Sequence, residues 1–227
     1  MTTVLFVAFP YVAVFLAAGV GLYRYRTGRV SDSSARSPSP DSAKLFWGFV
    51  PWHYALALIL LAHVFAWLFP KLTGAVLGFG TRLFVFEVAG LALALFAALG
   101  IVILIAKRPA SLRTKAVASS MDWIFLSVLL VEVLTGAAVA WLDRWGSHWF
   151  LSTAAPWLWS LVTLHPDPST VASLPLLIQL HFLLGFGVIV LFPFTRLAYV
   201  VMFPIYRLAW SSPRPATSNI ASAEPKE

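Results

Sequence analysis

Two apolar stretches carry histidine where histidine is costly, and no other feature restricts the fold of this chain so strongly. The first, WHYALALILLAHVFAWLFP, runs from Trp52 to Pro70 and holds His53 and His63; the second, QLHFLLGFGVIVLFPFTRLAY, runs from Gln179 to Tyr199 and holds His181. With their flanks both are long enough to cross a bilayer as helices, and at that depth an imidazole needs a hydrogen-bonding partner or a metal. Axial ligation of haem iron accounts best for three such rings.

Composition agrees with a membrane setting. Hydrophobic residues make up 60% of the 227 and charged residues 11%, against about 25% charged in soluble domains, and the mean hydropathy is +0.85. The expected fold is all-α, an integral membrane bundle of five transmembrane helices with no sizeable extramembrane domain. Cysteine is absent, which excludes disulfides, thiolate-held iron–sulfur clusters and covalent c-type haem attachment. A redox centre held by this chain has only His, Met, Tyr or carboxylate as ligands. The net charge of +7 does not indicate nucleic acid, because no basic cluster stands apart from the span ends.

The spans are expected at about 3–23, 45–69, 83–106, 121–141 and 176–203. The first has no positive segment before it and no small-residue cleavage site after it, so it reads as a span and not a removable signal. Between spans one and two lies a Ser-, Pro- and Arg-rich loop, Arg24 to Lys44, and between two and three the short link KLTGAVLGFGTR. The connection from Asp143 to Leu174 carries Trp145, Trp149, Trp157 and Trp159, rings that favour the headgroup layer, and is expected to lie on the membrane surface as an aromatic belt. His148 and His165 fall in it and read as surface or interfacial residues. The fifth span is interrupted by Pro193, and the tail 211–227 is polar and expected to be mobile. Thirteen of the sixteen Lys and Arg residues fall on one side of this arrangement. Only Lys71, Arg82 and Arg144 fall on the other. By the positive-inside rule the N-terminus is outside and the C-terminus cytoplasmic, in the cell inner (cytoplasmic) membrane.

This topology sets the depth of each histidine. His63 lies ten residues beyond His53, roughly 15 Å farther out at helical rise. His181 lies near the outer end of a descending span, level with His63, and the two form a bis-histidine pair around one haem b. The position level with His53 on span five is near 199, five whole turns after His181 and on the same face. Tyr199 stands there. Two carboxylates, Glu87 and Glu132, also sit inside apolar runs, where a charge costs about 2.5–3.5 kcal/mol or more. Both are expected to be neutral, paired or beside an aqueous cleft, and helix-packing hydrogen bonds explain Glu132 as well as a proton-handling role does.

These residues resemble the gamma subunit of respiratory nitrate reductase, a five-span di-haem b family that oxidises quinol. The likeness covers most of the chain: an outside N-terminus, a histidine pair ten apart on span two, a basic loop before span four, and an outer connection ending in SLVTLHPD. Its most specific part is QLHFLLGFGVIVLFPFTRLAY, similar to the family's fifth span with its RLH and LFPFSRL elements. The resemblance implies that His63 and His181 ligate the distal haem and that His53 is one ligand of the proximal haem. At Tyr199 the chain departs from the family, which has the second proximal histidine there. Three readings stay open: a haem with His53 on one side and Tyr199, water or nothing on the other; no proximal haem; or a haem held by another residue.

The resemblance further implies a subunit that passes electrons inward from quinol to an iron–sulfur subunit and a molybdenum catalytic subunit. The family's quinol site uses a basic residue near the start of span three, for which Arg82 is the nearest candidate, and Glu87 is placed to accept a quinol proton beside His63. Two other classes remain. One is a haem b anchor of another molybdenum or sulfur-cycle oxidoreductase. The other is a non-redox transporter or assembly factor with His53, His63 and Glu132 along a proton or metal path; the absence of inverted repeats and of paired Gly-interrupted helices speaks against it.

Overall fold

A segment with no water around it must satisfy its own backbone hydrogen bonds, so apolar runs of about 20 residues become helices. The computed structural model describes residues 1–26, 42–78, 80–107, 120–143 and 146–195, and among these it is all-α, with no strand. A five-residue π-turn, Val4–Ala8, leads into α1 (Phe9–Arg26). Then follow α2 (Ser42–Leu68), α3 (Pro70–Leu77), α4 (Thr81–Lys107) and α5 (Ser120–Leu142). A chain of short elements comes next: α6 (Gly146–Trp149), the π-turn Phe150–Ala154, α7 (Ala155–Val162) and α8 (Ser169–Ala172). The last long helix is α9 (Leu176–Leu191), which tightens into a 3₁₀ turn at Phe192–Phe194.

Four of these stretches are by themselves long and apolar enough to cross a membrane: Val4–Arg24, Thr81–Ala106, Ser120–Leu142 and Leu176–Phe194. A further candidate is the bent pair Trp52–Leu68 with Pro70–Leu77, whose halves meet at 111° as in a broken span or a re-entrant loop. The sequence reading took residues 71–82 as a plain link. Pro70 at the first turn and Gly78 at the C-cap instead bound a short helix, because proline has no donor to lose at a helix start and Gly78 adopts a φ of 54°.

The long helices pack in the order α2, α4, α5, α9, α1. One core is built from Trp52 and Ala55 of α2, Ala94, Ala97, Ala98 and Ile101 of α4, and Phe125, Leu126, Leu129 and Val133 of α5. Small residues on α4 let the backbones approach, which is how helices associate where lipid removes the hydrophobic drive. The closest approach is at Gly100, where a Cβ would stand 2.4 Å from the Cβ of Trp52. At the far end of α9, Arg24 of α1 donates to the carbonyls of Pro193 and Thr195, satisfying acceptors that the end of a helix leaves open.

A second core takes in part of residues 143–174. Of the tryptophans expected in a surface belt, Trp157 is buried in this core, whereas Trp149 is half-buried and Trp159 exposed. Trp157 is 1% exposed; its ring stacks on Phe182 at 5.3 Å and meets Phe6 edge-on at 6.1 Å. Its indole N–H donates to the Phe6 carbonyl (3.1 Å), and the Tyr11 hydroxyl donates to the Leu161 carbonyl (2.7 Å). The segment 150–162 also touches α2, and its π-turn touches α3. It therefore ties both edges of the helix row together at the N-terminal end of the bundle. The tail 211–227 and the part of the fifth span beyond 195 lie outside the described residues.

Gly100→Ala places a methyl group against a Cβ that has no rotamer to escape into, so it should destabilise the protein by about 1–3 kcal/mol. Gly90→Ala, where a Cβ meets nothing within 4 Å, should be neutral or stabilising by up to about 1 kcal/mol. Thermal unfolding of both variants in the same detergent checks the pair, and equal midpoints would contradict the tight α2–α4 crossing.

Candidate functional site

His63 is on α2, the helix at one edge of the row, and its ring is held from two directions. Its Nδ1 lies 2.8 Å from the carbonyl oxygen of Ile59, one turn earlier on the same helix. A carbonyl can only accept, so Nδ1 carries the proton and Nε2 keeps its lone pair. Phe150 of the π-turn meets the ring edge-on at 5.6 Å. The side chain is exposed.

His181 is on α9 and is held from α5. Its Nδ1 is 3.2 Å from Oε1 of Glu132 and 3.3 Å from the hydroxyl oxygen of Thr135. The Thr135 hydroxyl donates to the Glu132 carbonyl oxygen (2.8 Å), so it has only a lone pair to offer the ring. Nδ1 again carries the proton, and Nε2 is again the free lone pair. Gly136 completes the seat: a Cβ there would stand 2.9 Å from Cε1 of His181. Glu132, Thr135 and Gly136 fall at i, i+3 and i+4, one face of α5.

α2 and α9 do not pack along each other among the described residues, yet His63 lies within electrostatic range of both His181 and Glu132. Two neutral imidazoles with free Nε2 atoms and anchored Nδ1–H groups could serve as ligands to an iron. The two sequence-expected histidines, His63 on α2 and His181 on α9, stand near enough for their charges to interact.

The other expected residues are placed as follows. His53 is half-buried, its ring 3.8 Å from that of Trp52. Tyr199 lies outside the described residues. Arg82 is exposed and reaches back over Gly78, its Nη2 3.2 Å from where a Cβ would be. Glu87 is half-buried and engaged by other groups. Five residues of helix separate Arg82 from Glu87 by about 140°, so they do not share a face of α4. His148 is half-buried at the start of the inserted segment, whereas His165 sits in an exposed turn with Nδ1 2.8 Å from the Thr163 carbonyl. In that turn Asp167 accepts from the hydroxyl of Ser169 (2.6 Å) and its amide (3.0 Å), which hold its carboxyl below the usual range. Thr135, Gly136 and Asp122 were not singled out from the sequence. Asp122 is 1% exposed at the first turn of α5, where a helix N-terminus favours a carboxylate.

The family model for the nitrate reductase gamma subunit matches residues 2–213. The chain belongs to the nitrate reductase gamma subunit family. It is 31% identical over 195 residues to the nitrate reductase gamma chain of Bacillus subtilis (strain 168), covering 84% of this chain and 87% of that one. It is 24% identical over 212 residues to the respiratory nitrate reductase 2 gamma chain of Escherichia coli (strain K12), covering 90% and 88%. A third relative, the nitrate reductase-like protein NarX of Mycobacterium tuberculosis (strain ATCC 25618 / H37Rv), is 22% identical over 195 residues, 84% of this chain but 30% of that longer one. The matched region contains His53, His63, His181 and Tyr199.

Gly136→Ala should push the His181 ring off Thr135 and Glu132, because Cε1 has nothing to yield but the ring itself. An imidazole ¹⁵N spectrum of selectively labelled protein should show His181 losing the single Nδ1–H tautomer while His63, anchored by its own helix, keeps it. An unchanged His181 signal would remove Gly136 from the seat.

Proposed function

We propose that this chain is the quinol-oxidising membrane cytochrome b subunit of a nitrate reductase, delivering electrons to an iron–sulfur subunit and a molybdenum catalytic subunit. The observation that carries the reading is the pair His63 and His181, on two different helices and within electrostatic range of each other, each with Nδ1 anchored and Nε2 free. The names of its relatives support the complex. The absence of cysteine means that cluster-bearing partners are separate chains.

Haem b, when bound, supplies one-electron redox chemistry that no side chain offers. His63 and His181 would hold it through Nε2, and the Ile59 carbonyl, Thr135 and Glu132 fix the Nδ1–H tautomer of the two rings. Phe150 covers the His63 ring at the N-terminal end, where quinol approaches. Arg82 at the start of α4 is assigned as the donor to a quinol oxygen, and Glu87, on a different face of that helix, as an acceptor of a proton that leaves the quinol. His53 is assigned to a second, inner site, for which Tyr199 stands in the sequence where the family has its second ligand. The orientation is the one with thirteen of sixteen basic residues inside, N-terminus out and C-terminus in the cytoplasm.

His63→Ala and His181→Ala should each lower the content of the same low-spin b-type haem by about tenfold or more, with quinol-dependent nitrate reduction falling alongside. A full-strength low-spin spectrum in either purified variant would break the pairing. Tyr199→His tests the inner site separately. Imidazole binds both ferric and ferrous iron, so this variant should gain a second low-spin haem signal or convert a high-spin one. An unchanged spectrum and haem count would leave the chain with one haem.

A further inference from the structure

Glu132 is a carboxylate in the middle of an apolar helix, a position that is expensive to maintain and that packing alone does not require. Its surroundings are specific. Oε1 is 3.2 Å from His181 Nδ1, and the side chains of the pair are 17% and 19% exposed. Oε2 is buried and makes no hydrogen bond among the described residues, so the carboxylate is committed to His181. Space for it comes from α9: a Cβ at Gly185, one turn after His181, would stand 3.2 Å from Oε1. A larger residue at 185 would press the carboxylate away from the ring. The neighbouring Thr135 hydroxyl has its proton on the Glu132 carbonyl and therefore reinforces the same ring tautomer.

We propose that Glu132 is a positioning residue of the electron-transfer site, which fixes His181 as the Nδ1–H tautomer and strengthens Nε2 as a ligand. It touches neither quinol nor iron and acts through the imidazole. A carboxylate that accepts from Nδ1–H draws that proton toward itself and raises the basicity of the opposite nitrogen. The stronger donor favours ferric over ferrous iron, so Glu132 keeps the potential of this centre low. His63 has only a peptide carbonyl in the equivalent place. The two axial ligands are thus unequal, and the adjustable one is on α9.

The inference rests on the haem reading above, and the test separates the two. Glu132→Gln keeps the shape and an oxygen acceptor but not the carboxylate, Glu132→Ala removes the acceptor, and Glu132→Asp retains a carboxylate on a shorter arm. Each is purified in the assembled complex, and a spectroscopic redox titration reads haem content and midpoint potential. In Glu132→Gln we expect haem content within about twofold of wild type and a higher midpoint potential. In Glu132→Ala we expect a rise equivalent to about tenfold in the ferric/ferrous equilibrium, which is 59 mV for one electron, with haem retention falling by about tenfold. Glu132→Asp should recover part of both. A residue that only packs would leave Glu132→Gln at the wild-type potential. Wild-type potentials in Glu132→Gln together with Glu132→Ala, or in Glu132→Gln alone should Glu132→Ala not assemble, would overturn the proposal. Should His181→Ala keep its haem, the reading beneath has failed instead, whatever the Glu132 variants do.

Discussion

Hydrocarbon offers no hydrogen bonds, and every polar choice in this chain follows from that. Backbone groups are satisfied by helix. Side-chain polar groups then have three outlets: a carbonyl on their own helix, a polar group on a neighbour, or a ligand. Ile59 serves His63 in the first way, whereas Thr135 and Glu132 serve His181 in the second. In each case the partner engages Nδ1 and leaves Nε2 without a partner among the described residues.

The inserted segment 146–162 shows how the same constraint shapes an element that crosses nothing. Trp157 is large and apolar, but its indole N–H must be answered. It finds the carbonyl of Phe6 within the π-turn that begins the first span. Tyr11 answers in the opposite direction, donating to Leu161. These two bonds, with the stack of Trp157 on Phe182, fix the segment against the first span and α9, while it also touches α2. Phe150 reaches His63 because of that anchoring.

Much of this was legible in the residues. Runs of apolar side chains with basic or proline stops mark the spans, since a bilayer admits few alternatives. The nearness of His63 to His181 was legible from depth alone, since helical rise converts residue number into height. Other features were hidden for physical reasons. A tryptophan in a membrane-facing connection reads as interfacial from its amphipathic ring, and only the carbonyl at Phe6 reveals that Trp157 is inside. The segment 70–77 looked like a link because eight residues are too few to span and its proline reads as a stop. Gly136 carried no signal, since a glycine in an apolar helix is common and its purpose is visible only once the ring of His181 is known to lie against it. Glu132 was conspicuous, but its partner was on a helix about fifty residues away in sequence, and periodicity along one helix does not reveal a neighbour.

The two histidines differ in what their geometry depends on, and that difference bears on how the family can diverge. The anchor of His63 is four residues back on the same helix, so it survives any change in how α2 packs. The anchor of His181 exists only while α5 and α9 hold their register, with Gly136 and Gly185 as the two points where the helices leave room for a ring and a carboxylate. A substitution along that interface therefore alters the hydrogen bonds of one imidazole and leaves those of the other alone. On the proposed haem reading, a ligand tuned by a neighbouring helix lets the potential of the centre shift with no change at His63 or His181, to suit a different electron donor or acceptor.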